Sequence, residues 1–102
     1  MAKRIVWSKV ATFDFKEILD FYIRRNGNTV YAKKLNESLK KTLKLLSEYE
    51  YLGVISDYEE VRVLIKGDLN VYYKLFPEYI FLITVWHAKQ NPDLLERKIL
   101  DL

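Results

Sequence analysis

Apolar and polar residues follow one another with two different periods along this chain, and these periods predict its elements. Residues 3–7 form a short apolar run that is typical of a strand. Apolar residues then recur at helical spacing over residues 9–25, where Ser8 can cap the helix and Gly27 can end it. A second helix begins after a cap at Asn28 and extends to residue 49. Such a short link predicts an antiparallel helical hairpin.

The pattern changes to a period of two in the second half of the chain, which predicts strands. Residues 61–66 alternate along their length, and residues 70–76 alternate again. Gly67 and Asp68 lie between the two runs, in a dipeptide that suits a tight hairpin turn because glycine adopts a positive φ without strain. The two runs therefore predict a β-hairpin.

A turn at Pro77 and Glu78 leads into residues 79–86, which are apolar almost throughout, as in a strand buried on both faces. Residues 93–102 can form a short terminal helix. The order β-α-α-β-β-β predicts an α+β fold. We expect one domain over residues 1–102, with the N-terminal helical hairpin packed on one face of a mainly antiparallel four-stranded sheet and a short C-terminal helix.

The period of two also predicts the two faces of this sheet. The face toward the helices would carry Val61, Val63, Ile65, Val71, Tyr73 and Leu75. The opposite face would carry Arg62, Leu64, Lys66, Asn70, Tyr72 and Lys74. Two helices can cover one face only, so we expect the second set to form an open cationic and aromatic surface that can bind a partner.

Composition narrows the class of protein. Half of the 102 residues are hydrophobic and 15% are aromatic, which indicates a packed globular domain. The absence of cysteine excludes disulfides and thiolate metal sites. The N-terminal residues contain no secretory signal, and no apolar run approaches the length of a membrane helix, so we expect a cytoplasmic protein without contact to a membrane. A net charge of +3 permits an acidic protein or a nucleic acid as partner.

Few residues suggest a reaction, since the sequence contains neither a glycine-rich phosphate loop nor a metal-ligand cluster, and we expect no cofactor. His87 is the only histidine and follows a predicted strand directly, where it is either structural or catalytic. Arg62 and Lys89 would stabilise a phosphate transition state, or they are ordinary surface cations. Tyr72 could stack on a base or contact an apolar side chain of a partner protein.

Four segments taken together resemble the RelE/ParE superfamily of bacterial type II toxins. These are IVWS at residues 5–8, YAKKL at 31–35, VRVLIKGDLNVYYKL at 61–75 and VWHAKQNP at 85–92. Each segment is short, but their order and spacing extend over nearly the whole chain. The resemblance implies a helical hairpin on a mainly antiparallel sheet, and a toxin of a plasmid-stabilisation type that a cognate antitoxin neutralises in a hetero-oligomer.

The resemblance also implies one of two activities. RelE-like members cut mRNA in the ribosomal A site, whereas ParE-like members inhibit DNA gyrase. Arg62, His87 and Lys89 match functional positions of the RNA-cutting members and would be the catalytic residues of such an enzyme. Other positions depart from that pattern, because uncharged residues stand where cations are expected: Leu64, Asn70 and Gln90.

The missing cations favour the ParE-like activity, in which the toxin binds a protein target such as gyrase. A ribosome-dependent endonuclease is the alternative, and a degenerate toxin that binds only its antitoxin is a second alternative. The residues expected to contact the target or the antitoxin are Arg62, Leu64, Lys66, Asn70, Tyr72, Lys74, Trp86 and Gln90.

Overall fold

The elements follow the predicted order, with one strand added. The computed structural model describes residues 2–88 and 92–100. The strands are β1 (Arg4–Trp7), β2 (Val54–Ile55), β3 (Arg62–Lys66), β4 (Leu69–Leu75) and β5 (Tyr79–His87). The helices are α1 (Lys9–Asn26), α2 (Val30–Glu48) and α3 (Pro92–Leu100). The predicted α+β class is confirmed. Within the described residues, no helix has both the length and the apolar character needed to lie across a bilayer.

The strands form one sheet in the order β1-β5-β4-β3-β2. β1 runs parallel to β5, and the other neighbouring strands are antiparallel. The short strand β2 lies in a stretch expected to be a linker, so the sheet has five strands rather than the predicted four. Two residues are too few to show an alternating pattern, and both Val54 and Ile55 are exposed, so the sequence contains no signal for this strand.

The ends of the helices follow local side-chain chemistry. The hydroxyl of Ser8 accepts a hydrogen bond from the N–H of Ala11 at 2.8 Å and caps α1 as predicted. Gly27 ends α1 in the left-handed conformation, with φ of 71°. The prediction that Asn28 caps α2 is off by one residue, because Thr29 occupies the cap position. The side-chain Oδ1 of Asn28 instead accepts a hydrogen bond from the N–H of Val30 at 3.1 Å, in the link before the helix.

The helical hairpin packs on one face of the sheet, called here the hairpin face. Tyr73 is fully buried there, and its hydroxyl donates to the carbonyl of Glu50 at 2.9 Å and accepts the N–H of Gly53 at 3.0 Å. A Cβ on Gly53 would lie 2.7 Å from both the Tyr73 hydroxyl and the Val63 carbonyl oxygen. Glycine at position 53 therefore lets the loop after α2 close over Tyr73.

The predicted orientation of β3 is wrong. Leu64 lies directly opposite Val71, and directly paired residues share a face of the sheet. Leu64 is 9% exposed and belongs to the core under the hairpin. By the same register Arg62 lies opposite Tyr73, and Lys66 lies at the end of the hairpin face. The segment VRVLIK contains apolar residues on both faces, so its pattern does not show which face is buried. Pairing with β4 decides this.

The opposite face, called here the far face, is also partly covered. Leu95 and Ile99 of α3 pack against Ile83 and Trp86 of β5. The other members of this second core are Phe81 on the same strand and Tyr58, Val61 and Tyr72 from earlier parts of the chain. The prediction of a fully open second face therefore needs correction, because the C-terminal helix buries apolar residues on the far face.

A buried carboxylate joins α3 to α1. Asp14 on α1 is 5% exposed. Its carboxylate accepts a hydrogen bond of 2.6 Å from the hydroxyl of Thr84 on β5 and forms an ion pair with Lys98 on α3. The Lys98 ammonium also lies 5.3 Å from the centre of the Trp86 ring, within range of a cation–π interaction. These contacts fix α3 at the end of β5 that β1 does not reach, since β1 pairs with β5 only as far as Leu82.

Candidate functional site

The predicted site residues do not form one surface. Asn70, Tyr72 and Lys74 lie on the far face as predicted, whereas Arg62, Leu64 and Lys66 lie on the hairpin face. Leu64 is a core residue with little surface to offer a partner. Trp86 is 3% exposed beneath α3, so its ring supports the second core. Lys89 and Gln90 lie outside the described residues.

Arg62 binds its own chain. One terminal nitrogen of its guanidinium donates to the carbonyl of Gly53 at 2.7 Å, and Nε donates to the same oxygen at 3.2 Å. The guanidinium also lies 5.2 Å from the centre of the Tyr51 ring. Arg62 and Lys74 line an open cavity of about 500 Å³, and Glu60 lies in the same wall. The observed role of Arg62 is therefore to hold the loop between α2 and β2.

Tyr72 lies against a second tyrosine on the far face. Its ring centre is 6.3 Å from that of Tyr58, and the two planes are nearly perpendicular. Burial raises the pKa of Tyr72, and the neighbouring Tyr58 adds to this effect, while a hydrogen bond from Asn70 lowers the pKa. The Tyr72 side chain is half-buried in this position on the far face.

The most site-like arrangement lies on the hairpin face, around His87. Its Nε2 lies 2.6 Å from the hydroxyl of Tyr22 on α1, and the ring centres are 5.8 Å apart. Lys66 pairs with Leu69, which in turn pairs with His87, so these three residues form one row across β3, β4 and β5. The sheet register therefore brings Lys66 and His87 to the same edge, although they are far apart in sequence.

A cavity lies on each side of the Tyr22–His87 hydrogen bond, and the two together are called here the Tyr22–His87 cleft. The first, of about 370 Å³, is lined by Glu17, Ile18, Phe21, Tyr22, Arg24, Arg25 and His87. The second, of about 220 Å³, has Tyr22 and His87 in its wall together with Tyr31, Lys66 and Asp68. Apolar walls with a few charged groups at the rim are typical of binding sites.

Tyr22 remains a neutral phenol under ordinary conditions. Burial raises its pKa above the usual value, and the nearby Tyr31 and Asp68 raise it further, against a smaller lowering by Arg25. The phenol donates this hydrogen bond to Nε2 or accepts one from it, according to which ring nitrogen of His87 carries the hydrogen. His87 is 8% exposed, so a substrate proton could reach this nitrogen only after the bond to Tyr22 had broken.

The sequence pattern did not predict the contact of the Tyr22 hydroxyl with His87. The helical pattern placed it with Ala11, Phe15 and Ile18 on the buried side of the first helix, where it does lie. Its position at the C-terminal end of that apolar stripe was the only signal, since a tyrosine at the edge of a core places its hydroxyl at the surface. Among the described residues, no group of three or more histidine or acidic side chains could hold a metal ion.

Comparisons with known proteins agree with this architecture. Residues 5–92 match the family model of the ParE toxin of the type II toxin–antitoxin system parDE. No curated protein matches the chain. A chain from the chromosomal ParDE system of P. aeruginosa is similar in fold, with a TM-score of 0.75 and 18% identity over 86% of this chain and 98% of that chain. A chain of the E. coli DinJ-YafQ toxin–antitoxin complex gives a TM-score of 0.53 and 14% identity, over 85% of this chain and 93% of that one.

The family match extends over most of the sequence, including β1, the helical hairpin and the strands that form the Tyr22–His87 cleft. This chain therefore belongs to the family of ParE toxins of type II toxin–antitoxin systems.

Proposed function

We propose that this toxin acts by binding a protein target of the kind that DNA gyrase represents, and that a cognate antitoxin neutralises it. The observation that carries the proposal is the engagement of Arg62 with the carbonyls of Gly53 and Tyr51. In an RNA-cutting enzyme, Arg62 would be the cation that contacts and stabilises the phosphate. In the observed geometry its donors point to the protein's own backbone.

Two further features support a binding role over an RNA-cutting one. Leu64 is buried in the core at a position where a nuclease would need a second cation, and Asn70 is uncharged on the far face. Cleavage of a phosphodiester requires charge stabilisation at the phosphate and a base near the attacking hydroxyl. The hydrogen bond between His87 Nε2 and Tyr22 competes with the use of that nitrogen as the base.

The antitoxin partner follows from the family and from one structural relative. The similar chain from P. aeruginosa comes from a ParDE toxin–antitoxin system, and we propose the same pairing for this chain. A gyrase target would place the protein in the cytoplasm. The mild net charge of +3 is compatible with an acidic polypeptide partner.

The experiment is a pair of assays on the purified chain, one of gyrase supercoiling and one of mRNA cleavage on translating ribosomes. We expect inhibition of supercoiling and intact mRNA, and addition of the antitoxin should restore supercoiling. Unchanged gyrase activity at saturating toxin would contradict the gyrase target. If the chain inhibits neither process but still binds the antitoxin, it is a degenerate toxin and the proposed activity is wrong.

One observation favours a ribosome-dependent endonuclease as the second candidate. Lys66, Tyr22 and His87 line the same cavity of about 220 Å³, so a cation and a possible acid–base pair do lie together. For this candidate, mRNA cleavage by the wild type should disappear in both Lys66→Ala and His87→Ala, with the fold retained. The doubly substituted Arg62→Ala, His87→Ala chain should be non-toxic, and full toxicity in that variant would rule the endonuclease out.

A further inference from the structure

The sheet ends at β2, whose outer edge pairs with no other strand in the described part of the chain. Val54 is 61% exposed, and Ile55 is 78% exposed. Proteins commonly protect a free edge with charged residues, a proline or a β-bulge, because unpaired backbone groups can bond to a strand of another molecule. β2 has neither a charge nor a proline, and its direct neighbours Gly53 and Ser56 are uncharged too. The edge at β2 is therefore open to strand pairing.

The hydrogen bonds to β3 show which backbone groups of β2 face outward. Ser56 donates its N–H to the carbonyl of Val61 at 3.1 Å. Residues of an antiparallel pair alternate between hydrogen-bonded and non-hydrogen-bonded positions. Ile55 lies opposite Arg62, one step from the bond of Ser56. The N–H and C=O of Ile55 therefore point away from β3, toward the open edge.

Ile55 is the position at which a partner strand can bond. The backbone groups of Val54 face β3 by the same alternation. Gly53 uses its own groups within the chain, because its N–H is donated to the hydroxyl of Tyr73 and its carbonyl accepts the guanidinium of Arg62. The outward N–H and C=O of Ile55 therefore set the register of a strand that pairs with β2.

These outward groups fix a single register for a second copy of this chain. A residue in such a position exchanges both hydrogen bonds with the residue directly opposite in an antiparallel pair. When the partner edge is also β2, the opposite residue is Ile55 of the second copy, so a two-fold axis passes between the two. That axis is perpendicular to the sheet, which places both helical hairpins on the same side of one continuous sheet.

We propose that this chain self-associates through β2, with Ile55 paired with Ile55 of a second copy. The pairing satisfies the outward backbone groups of both residues and brings their exposed side chains into contact across the axis. This inference goes beyond the proposed function, because the contact requires neither the antitoxin nor the target.

The charges on either side of Ile55 are complementary in this register. Asp57 is exposed just after β2, and it would lie opposite Gly53 of the second copy. The carbonyl of Gly53 holds the guanidinium of Arg62, so a carboxylate would approach a guanidinium. Two-fold symmetry repeats this juxtaposition on the other side of the axis. The interface therefore gains two opposite-charge contacts that both come from the chain itself.

Other occupants fit this edge less well. A nucleic acid is bound mainly through cations along its phosphate backbone, whereas β2 offers backbone groups and apolar side chains and is followed by the acidic Asp57. An extended segment of another protein would need an acidic residue opposite Gly53 to reach Arg62. The second copy carries Asp57 at that position by symmetry.

The short edge limits the affinity of the pairing. β2 has two residues, so the hydrogen bonds of one residue pair and one apolar contact form the centre of the interface. Such an interface is smaller than those of stable dimers, and we expect a dissociation constant of about 10–100 μM. Self-association should therefore depend on concentration within the range of ordinary solution measurements.

The first test uses single cysteine variants of the full chain, which contains no cysteine of its own. In Ile55→Cys the two Cα atoms would lie about 5.5 Å apart across the axis, within the range of a disulfide. We expect mild oxidation, above the expected dissociation constant, to give at least about 10-fold more covalent dimer than in Ile65→Cys. Ile65→Cys is the matched control, because it changes the same residue type at similar exposure on β3.

The second test measures the equilibrium by sedimentation of the wild type over a range of concentrations. Ile55→Lys would place two ammonium groups across the axis, and it should weaken self-association by at least about 10-fold. Ile65→Lys adds the same charge away from the axis and should change the dissociation constant by less than about 3-fold. Circular dichroism and thermal melting confirm that each variant folds, as expected for substitutions of exposed residues.

Three outcomes would overturn the inference. One is a wild type that stays monomeric up to about 1 mM. Another is a dimer that Ile55→Lys leaves intact, or equal cross-linking of Ile55→Cys and Ile65→Cys, since the contact would then lie elsewhere. The third is a monomeric wild type whose antitoxin or gyrase binding Ile55→Lys abolishes, which would assign the edge to a strand of that protein. Gyrase unaffected by a chain that self-associates as expected would contradict the proposed target alone.

Discussion

The hydroxyl of Tyr22 lies 2.6 Å from Nε2 of His87 and joins the C-terminal part of α1 to the last residue of β5. This contact closes the interface between the helical hairpin and the sheet at the point where two cavities meet. It also engages one of the two ring nitrogens with which His87 could accept a substrate proton. The contact is therefore structural in the observed state, and its loss has a predictable consequence.

Tyr22→Phe removes the hydrogen bond and keeps the ring. We expect the free energy of unfolding to fall by about 1 kcal/mol, since one side-chain hydrogen bond is lost. Urea denaturation measures the change. A stability equal to wild type would show that the bond contributes nothing, and gyrase inhibition should be unaffected because the fold is retained.

Arg62→Ala should lower stability because the carbonyls of Gly53 and Tyr51 lose a charged donor. The expected cost is about 1–2 kcal/mol by chemical denaturation. Arg62→Lys should restore only part of it, since an ammonium cannot reproduce the planar fork of the guanidinium. If Arg62 were instead a catalytic cation without a structural role, the alanine variant would be inactive and as stable as wild type.

Two neighbouring residues of β3 test its orientation. Leu64→Ala should cost about 2–4 kcal/mol because it leaves a cavity under the hairpin. Ile65→Ala is the matched control, and it should change stability by no more than about 0.5 kcal/mol because Ile65 is 64% exposed. Thermal or urea unfolding separates the two. The reverse order of costs would support the orientation expected from the sequence pattern.

Asp14→Ala should detach α3 from α1. The substitution leaves the hydroxyl of Thr84 and the ammonium of Lys98 without their acceptor, which we expect to cost about 2–3 kcal/mol. Lys98→Met is the comparison, and it should cost less because Lys98 is 31% exposed and methionine keeps the contact with Trp86. Limited proteolysis should cut near residues 92–100 faster in the Asp14 variant. Equal proteolysis of variant and wild type would show that the apolar contacts alone hold α3.

Alkaline pH should destabilise the fold through its tyrosines. Burial raises the pKa of Tyr22, Tyr58 and Tyr72 above the ordinary value of about 10. Above pH of about 10 the unfolded chain releases phenolic protons that the folded chain retains, so this stability is complete below that pH and is lost as pH rises through the raised values. Unfolding measured against pH should show the decline, with a smaller slope in Tyr22→Phe.

Local patterns were sufficient to predict most of the elements. The caps at Ser8 and Gly27, the turn at Gly67 and the apolar run of β5 all depend on residues adjacent in sequence, and each lies where expected. The strand β2 was missed because two exposed residues carry no period. The site could be predicted only in part, since His87 was singled out by its residue type, whereas Tyr22 was assigned to the core and its hydroxyl partner depends on a contact 65 residues away.

The sequence by itself determined the order of the elements and the α+β class, because the helical and alternating periods and the turn residues are local properties. It also determined the resemblance to the toxin superfamily, which depends on short segments in order. Only the tertiary structure decided which side of β3 is buried, because Val63, Leu64 and Ile65 are all apolar and pairing with Val71 selects one of them. It also decided that Arg62 binds backbone carbonyls and that Lys66 and His87 lie in one row across the sheet, since both depend on long-range strand register and loop closure.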